Sequence, residues 1–153
     1  MSIRSASFSE FEQVIQEMPG QQAWRIRAGS GTGSIFTMEF KPPSKTDGPQ
    51  REFSLMVYCA WRIVKDGHVI CTWHEDADAN LAPALKKLES NSVTKAFLTE
   101  WGDLIVDFLN GHSLHIWNDA PFKDGDSWFI GCSGLGYFSV TTRNAFFYEP
   151  EVY

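Results

Sequence analysis

Apolar and polar residues recur with helical spacing near the start of the chain. Residues 7–18 predict a helix because one face carries the apolar residues Phe8, Phe11, Val14, Ile15 and Met18. Ser7 and Glu10 have the spacing of a capping box, in which each side chain bonds the other residue's backbone amide. Pro19 and Gly20 then end the helix.

The pattern then changes to the alternation that is typical of strands. A strand is predicted near Trp24–Arg27, and "SIFTMEF" (34–40) predicts the next one. The glycine-rich stretch "GSGTGS" (29–34) lies between them and predicts a hairpin loop. A polar loop rich in proline and glycine, residues 41–51, follows.

Residues 52–73 predict a hairpin that turns at Asp66-Gly67. With one extra residue at the turn, Ile63 lies opposite Cys71 and Arg62 lies opposite Thr72. This register is favoured because it puts the large apolar residues on one face: Phe53, Leu55, Val57, Cys59, Trp61, Ile63, Cys71 and Trp73. Cys59 and Cys71 are then offset by about 13 Å along the strands, too far for a disulfide.

A second helix follows residues 74–78, with Asn80 as its predicted N-cap and Pro83 in its first turn. Its apolar stripe is Leu81, Leu85 and Leu88. After a strand in "SVTKAFLTEW", residues 103–117 predict a second hairpin that turns at Asn110-Gly111. The predicted pairs in this hairpin are Val106 with Ile116 and Phe108 with Leu114.

Three further strands, in "SWFIG", "GYFSVTT" and "NAFFYE", complete the pattern, and the last two are joined by a turn near Arg143-Asn144. Eight to ten strands, almost all joined by hairpins, and two helices predict the α+β class. We expect a single domain, 1–153, with one large twisted antiparallel β-sheet. This sheet is predicted to be a meander, with a barrel-like curl as a variant.

Composition narrows the function classes. A net charge of −6 and a pI near 5.1 argue against binding to nucleic acids or to anionic membrane surfaces, which requires basic patches. The N-terminal residues lack the apolar run of a signal peptide, and no stretch has the length of a membrane helix. Three cysteines without a CxxC spacing indicate free thiols in a reducing cytoplasm.

Candidate catalytic and metal-binding motifs are weak. The "GSGTGS" stretch precedes a strand and lacks the helix that a phosphate-binding loop requires. His112 and His115 would point to opposite faces of a strand, so they do not predict a metal site. "GCSGLG" (131–136) offers Cys132 and Ser133 but no nearby base. We therefore predict no catalytic residue, no metal and no cofactor.

Arg62 lies on the second face of its hairpin. The first expectation for its side chain is an ion pair with Glu39 or Glu75, and the alternative is an anchor for an anionic ligand.

Acidic residues are concentrated in "HEDAD" (74–78). Such residues are typical of a solvated loop just before a helix, where they complement the positive end of the helix dipole. The alternative is an acidic surface that binds a basic partner. The candidate partner-binding residues are Glu75, Asp76, Asp78, Asp119, Asp124 and Asp126.

Four segments resemble a set of small, uncharacterised bacterial proteins: "GSIFTMEF", "EFSLMVYCAWRI", "GDLIVDFLNGHSLHIW" and "SWFIG", spanning residues 33–130. The matching positions are apolar sheet residues, so the resemblance assigns no functional residue. Similar small, acidic, β-rich cytoplasmic proteins often serve as immunity proteins, which neutralise a toxin made by the same bacterium. The resemblance therefore implies an immunity-type role.

Two main hypotheses for function follow. In the first, the chain is a non-enzymatic binding protein, such as an immunity protein that presents an acidic surface to a basic toxin domain. In the second, it is a small-molecule binder or enzyme with an aromatic-lined pocket in the sheet. The candidate pocket residues are Trp61, Trp73, Phe108, His115 and Trp117. An exposed apolar strand face would also suit a homodimer.

Overall fold

A computed structural model describes residues 3–43, 51–119, 125–141 and 145–151. Within these ranges it contains twelve strands, all in antiparallel pairs, and two short helices, which confirms the α+β class. In chain order the elements are β1 (Arg4–Ser5), α1 (Phe8–Ile15), β2 (Gln22–Ala28), β3 (Phe36–Lys41), β4 (Phe53–Val57), β5 (Trp61–Lys65), β6 (His68–Thr72), α2 (Ala82–Lys86), β7 (Val93–Leu98), β8 (Leu104–Phe108), β9 (His112–Ile116), β10 (Asp126–Cys132), β11 (Gly136–Thr141) and β12 (Phe146–Pro150).

The described strands form two sheets and no closed barrel. The seven-stranded sheet has the order β1-β12-β11-β10-β4-β3-β2, and the five-stranded sheet has the order β6-β5-β9-β8-β7. The sequence predicts one large sheet, so the division is the main difference from expectation. It arises because the continuous apolar run from Phe53 to Ile63 is split between β4 in one sheet and β5 in the other.

The chain changes sheet at residues 58–60. The Tyr58 amide donates to the Ser127 carbonyl at 2.9 Å, and the Ala60 amide donates to Asp119 Oδ1 at 3.0 Å. Backbone groups that leave a ladder must find other partners, and these two contacts supply them. The alternation of buried residues continues through the corner, so Val57, Cys59 and Trp61 all remain in the core.

Both predicted hairpins form. The predicted residue pairs are correct in the first hairpin and wrong in the second. Ile63 pairs with Cys71 and Arg62 with Thr72, as predicted, but the extra residue lies between those pairs and the turn, in β6. In the second hairpin Val106 pairs with Leu114, so the predicted pairing of Val106 with Ile116 is wrong by two residues. A shift of two residues preserves the faces of a strand, and the predicted inward residues are therefore still buried.

Both helices bury their predicted apolar residues, except that Phe8 at the start of the first helix is only half-buried. The Ser7–Glu10 capping box is present in α1, and Phe11, Val14 and Ile15 are buried. The second helical segment begins earlier than predicted, with a π-helical turn over Ala77–Leu81. Its N-cap is Asp76 rather than Asn80, because Asp76 accepts a hydrogen bond from the Ala79 amide. Leu81, Leu85 and Leu88 are all buried, as predicted.

Buried residues from both sheets and both helices form one cluster. Phe36 of β3 meets Trp61 of β5 with ring centroids 5.0 Å apart, which joins the two sheets. Phe11 of α1 packs against Trp128 of β10 at 5.4 Å. The indole of Trp128 donates to the Gly102 carbonyl at 2.8 Å and so ties the seven-stranded sheet to the β7–β8 turn. The predicted turn near Arg143-Asn144 and most of the predicted loop 41–51 lie outside the described residues.

Candidate functional site

The outer face of the five-stranded sheet carries a row of four side chains on neighbouring strands. Arg62 of β5 pairs with His115 of β9, His115 pairs with Ile105 of β8, and Ile105 pairs with Phe97 of β7. Each lies between buried residues of its own strand, so the alternation of the pleat turns all four outward. The sheet therefore brings together residues that lie far apart in the sequence.

Hydrogen bonds link polar side chains across this face. Arg62 Nε donates to His115 Nδ1 at 3.2 Å, His115 Nε2 lies 3.0 Å from Ser113 Oγ, and Ser113 Oγ donates to Asp107 Oδ1 at 2.6 Å. A guanidinium can only donate, so His115 Nδ1 must accept and the ring proton sits on Nε2. His115 then donates to Ser113, and the chain of hydrogen bonds runs from the arginine to the aspartate.

This direction opposes nucleophilic catalysis by Ser113. A general base must accept the serine proton, whereas the His115 nitrogen that faces Ser113 already carries a proton. Burial, and then the nearby Arg62 guanidinium, lower the pKa of His115, which keeps the ring neutral. The arrangement is thus suited to holding Arg62 in place.

The guanidinium of Arg62 has a second support but no carboxylate partner among the described residues. Its Cζ lies 4.8 Å from the centroid of the Trp117 ring. Arg4, Arg25 and Arg51 each form an ion pair, while within the described ranges Arg62 forms none. The expected ion pair with Glu39 or Glu75 is therefore wrong: Glu39 pairs with Arg25, and Glu75 accepts from the Thr72 amide.

In the described part of the chain, most of the large exposed apolar side chains belong to the same sheet as Arg62. Among the described residues seven such side chains are exposed, and five of them belong to strands or turns of the five-stranded sheet: Val69, Ile70, Phe97, Trp101 and Leu109. Phe97 is 47% exposed and Trp101 57%. We define the binding face as Arg62, Phe97, Trp101, Ile105, His115 and Trp117.

Sequence reasoning singled out only part of this face. Arg62, His115 and Trp117 were candidates, but Phe97 and Trp101 were missed. The sequence feature that indicates Phe97 is the alternation of side chains along a strand. Ala96 and Leu98 point inward, so Phe97 between them must point outward.

The structure separates the predicted pocket residues. Trp61 and Phe108 are buried in the core, whereas His115 and Trp117 lie half-buried on the binding face. Trp73 packs partly against the core and stacks on the ring of His74. These five residues therefore do not line a common pocket.

The acidic residues of 75–78 make local hydrogen bonds. Glu75 accepts from the Thr72 amide at 2.7 Å, Asp76 accepts from the Ala79 amide at 2.7 Å, and Asp78 accepts from the Ser30 amide at 2.8 Å. These contacts fix the segment after β6 and the glycine-rich loop between β2 and β3.

The other predicted acidic residues lie elsewhere. Asp119 accepts from the Ala60 amide where the chain changes sheet. Asp126 begins β10 on the seven-stranded sheet, and burial raises the pKa of its carboxyl group. Asp124 lies outside the described residues. Asp119 and Asp126 therefore belong to different parts of the fold from residues 75–78.

The cysteines are buried free thiols. Burial raises the pKa of Cys59 and of Cys132 to about 12, and burial together with Glu75 raises that of Cys71 to about 11. Ser133 is also engaged, because its Oγ accepts from the Glu52 amide at 2.8 Å. In the part of the chain that is described, no group of three His, Cys, Asp or Glu side chains could hold a metal ion.

A small cleft of about 200 Å³ opens on the outer face of the seven-stranded sheet. Trp24 and Tyr137 stand at its two sides, and Glu39, Ser54 and Gly131 lie between them. Two cationic side chains of the protein already contact the Trp24 ring: Arg25 Cζ lies 3.9 Å and Lys41 Nζ 4.6 Å from its centroid. The cleft is therefore a weaker candidate than the binding face.

Fold and site together define an α+β protein with two antiparallel sheets, one of which carries an outward row of Arg62, His115, Ile105 and Phe97. Comparison with protein families, with curated proteins and with solved structures finds no match to this chain. Within the described residues, none of the helices combines the length and the apolar character that crossing a membrane requires.

Proposed function

We propose that this chain is a non-enzymatic binding protein that recognises another protein through the binding face. The observation that carries the proposal is that one sheet holds five of the seven large exposed apolar side chains of the described residues together with an oriented arginine. Aromatic residues and arginine are enriched at protein interfaces and dominate their binding energy. The direction of the Arg62–His115–Ser113 hydrogen bonds and the raised pKa values of the thiols support a binding role over a catalytic one.

An immunity role in the bacterial cytoplasm is the form of this function that we favour. The partner would be a basic toxin domain that the chain neutralises by covering its surface. The net charge of −6 supports this choice, because it would steer a basic partner toward the protein over long distances. The sequence resemblance of residues 33–130 to small bacterial proteins also favours an immunity role.

Phe97 and Tyr137 provide a matched test because both are 47% exposed, on different sheets. Tagged wild-type, F97S and Y137S proteins are used to capture partners from a lysate of the native cells at low salt, followed by elution at high salt. We expect one stoichiometric basic protein with wild type and Y137S. Truncation of a hot-spot residue costs about 2 kcal/mol, so F97S should bind roughly 30-fold more weakly.

Two outcomes would contradict the proposal. Equal capture of the partner by wild type and F97S would show that the binding face is not part of the interface. A homodimer in light scattering that F97S dissociates would show that a second copy, and not another protein, covers this face.

A small-molecule binder is the second candidate, and the cleft between Trp24 and Tyr137 favours it. Rings beside a carboxylate suit a small polar ligand with an apolar side. Native mass spectrometry of the purified protein tests this function. A retained ligand that is lost in Y137S but kept in F97S would favour it over protein recognition.

A further inference from the structure

Arg62 is held in one orientation before any partner arrives. Its Nε–H is directed at His115 Nδ1, and its plane is supported by the Trp117 ring. His115 is itself held by Ser113, and Ser113 by Asp107. A long side chain normally loses conformational freedom when it binds, and here much of that loss has already occurred on folding.

The positive charge of Arg62 is not neutralised locally. Within the described ranges its only side-chain hydrogen bond is the one to His115, so its terminal nitrogens keep their N–H donors. The nearest carboxylate along the hydrogen-bonded chain, Asp107, is separated from it by two neutral side chains, His115 and Ser113. An oriented and unpaired guanidinium is unusual in a chain with more acidic than basic residues.

We propose that Arg62 anchors a carboxylate side chain of the protein partner, an inference that rests on the proposed function. The two terminal nitrogens form the fork that binds a carboxylate through two parallel hydrogen bonds. Exposed Phe97 lies in the same cross-strand row as Arg62, and a partner that covers both would exclude water and strengthen the pair. A basic partner still carries such carboxylates, so long-range steering and this local contact are compatible.

A carboxylate fits this site better than a phosphate group. The protein carries a net charge of −6, and Asp107 lies on the same face as Arg62. Repulsion from these charges grows with the charge of the ligand, and the attraction to Arg62 grows in the same proportion, so the number of cations at the site decides which anion is neutralised. Lys95 also lies on this face, but it is three strands away on β7 and opposite Asp107, so a bound anion would meet the Arg62 guanidinium alone, which neutralises a carboxylate but not a dianionic phosphate.

The probe for this test is sodium acetate, titrated into ¹⁵N-labelled protein at pH 7.5 against sodium chloride of equal ionic strength. NMR follows the Arg62 Nε–H and the Trp117 indole N–H. We expect saturable acetate shifts in wild type, their loss in R62Q, weaker binding in R62K, and wild-type shifts in R27Q. Arg27 is the matched control because it also forms no ion pair within the described ranges but lies exposed on the other sheet.

Several results would overturn the inference. Shifts that equal those in chloride, or that persist in R62Q, would show that Arg62 does not bind carboxylates. Saturation by inorganic phosphate without any effect of acetate would assign the site to phosphate groups instead. R62K retains the positive charge, so equal acetate binding by R62K and wild type would contradict the role of the guanidinium fork.

Failure of this inference can be distinguished from failure of the proposed function. If F97S abolishes complex formation while R62Q changes neither the acetate shifts nor the complex, only the carboxylate anchor is wrong. If acetate binds at Arg62 but F97S captures its partner as well as wild type does, only the proposed interface is wrong.

Discussion

At the scale of the residue, position on the pleat decides what each polar side chain can do. His112 and His115 are three residues apart on β9, and the structure confirms that they lie on opposite faces. His112 is buried in the core, while His115 joins Arg62 to Ser113. Two residues of the same type therefore have unrelated roles. Because their side chains lie on opposite faces of β9, they cannot bind one metal ion together.

His115 makes stability depend on pH. Its pKa is lowered from the ordinary value of 6.5, chiefly by burial, so the folded state binds a proton less readily than the unfolded state. The stabilising contribution of neutral His115 is fully present above pH 6.5 and is lost as the pH falls toward the folded-state pKa. Protonation also removes the acceptor for Arg62 Nε.

We therefore expect the free energy of unfolding to fall between pH 7.5 and pH 5.5, and to fall less in H115Q than in wild type. His112, whose pKa is also lowered by burial, contributes to the fall in both proteins. Urea denaturation at the two pH values measures the difference. An identical loss in H115Q and wild type would show that His115 does not contribute to the pH dependence.

At the scale of the element, the division into two sheets depends on contacts between distant parts of the chain. Gly102, in the β7–β8 turn, lies against Val140 of β11 in the other sheet. A Cβ at Gly102 would come within 2.6 Å of Val140 Cγ1 and 2.7 Å of Asn118 Nδ2. The β7–β8 turn therefore needs glycine for close packing between sheets as well as for its φ of +90°.

G102A should destabilise the fold more than G20A does. Gly20 has a nearly equal φ of +93°, but no atom lies within 4 Å of the position that a Cβ would take there. Both variants therefore carry the backbone cost of about 1–2 kcal/mol. Only G102A adds overpacking, which typically costs about 1–3 kcal/mol. Urea denaturation of the two variants measures the difference, and equal losses would show that the β7–β8 turn does not constrain the packing of the sheets.

The sequence predicts elements better than it predicts their assembly. The Ser7–Glu10 capping box and the inward faces of β4 and β5 follow from local spacing, and both are confirmed. The change of sheet at residues 58–60 does not, because its amides bond to Asp119 and to Ser127, which lie far along the chain. Hydrophobic alternation continues through that corner and gives no signal of it.

At the scale of the whole molecule, the candidate site is a product of sheet topology. Arg62 and His115 meet because β5 pairs with β9, which is not its neighbour in sequence. The turn sequences predict that β5 pairs with β6 and that β8 pairs with β9. They do not predict that the two hairpins lie side by side. Arg62, His115 and Trp117 could thus be singled out from the sequence, whereas Phe97, Trp101 and Ile105 and the face that all six form could not.

Hydrogen–deuterium exchange of the protein, alone and with its captured partner, shows which sheet the partner covers. We predict that the partner slows exchange in β7, β8 and β9, which carry three of the six residues of the binding face, and in β5 around Arg62. Exchange in β10, β11 and β12 of the other sheet should not change. Protection confined to β10–β12, with β7–β9 unaffected, would contradict recognition through the five-stranded sheet.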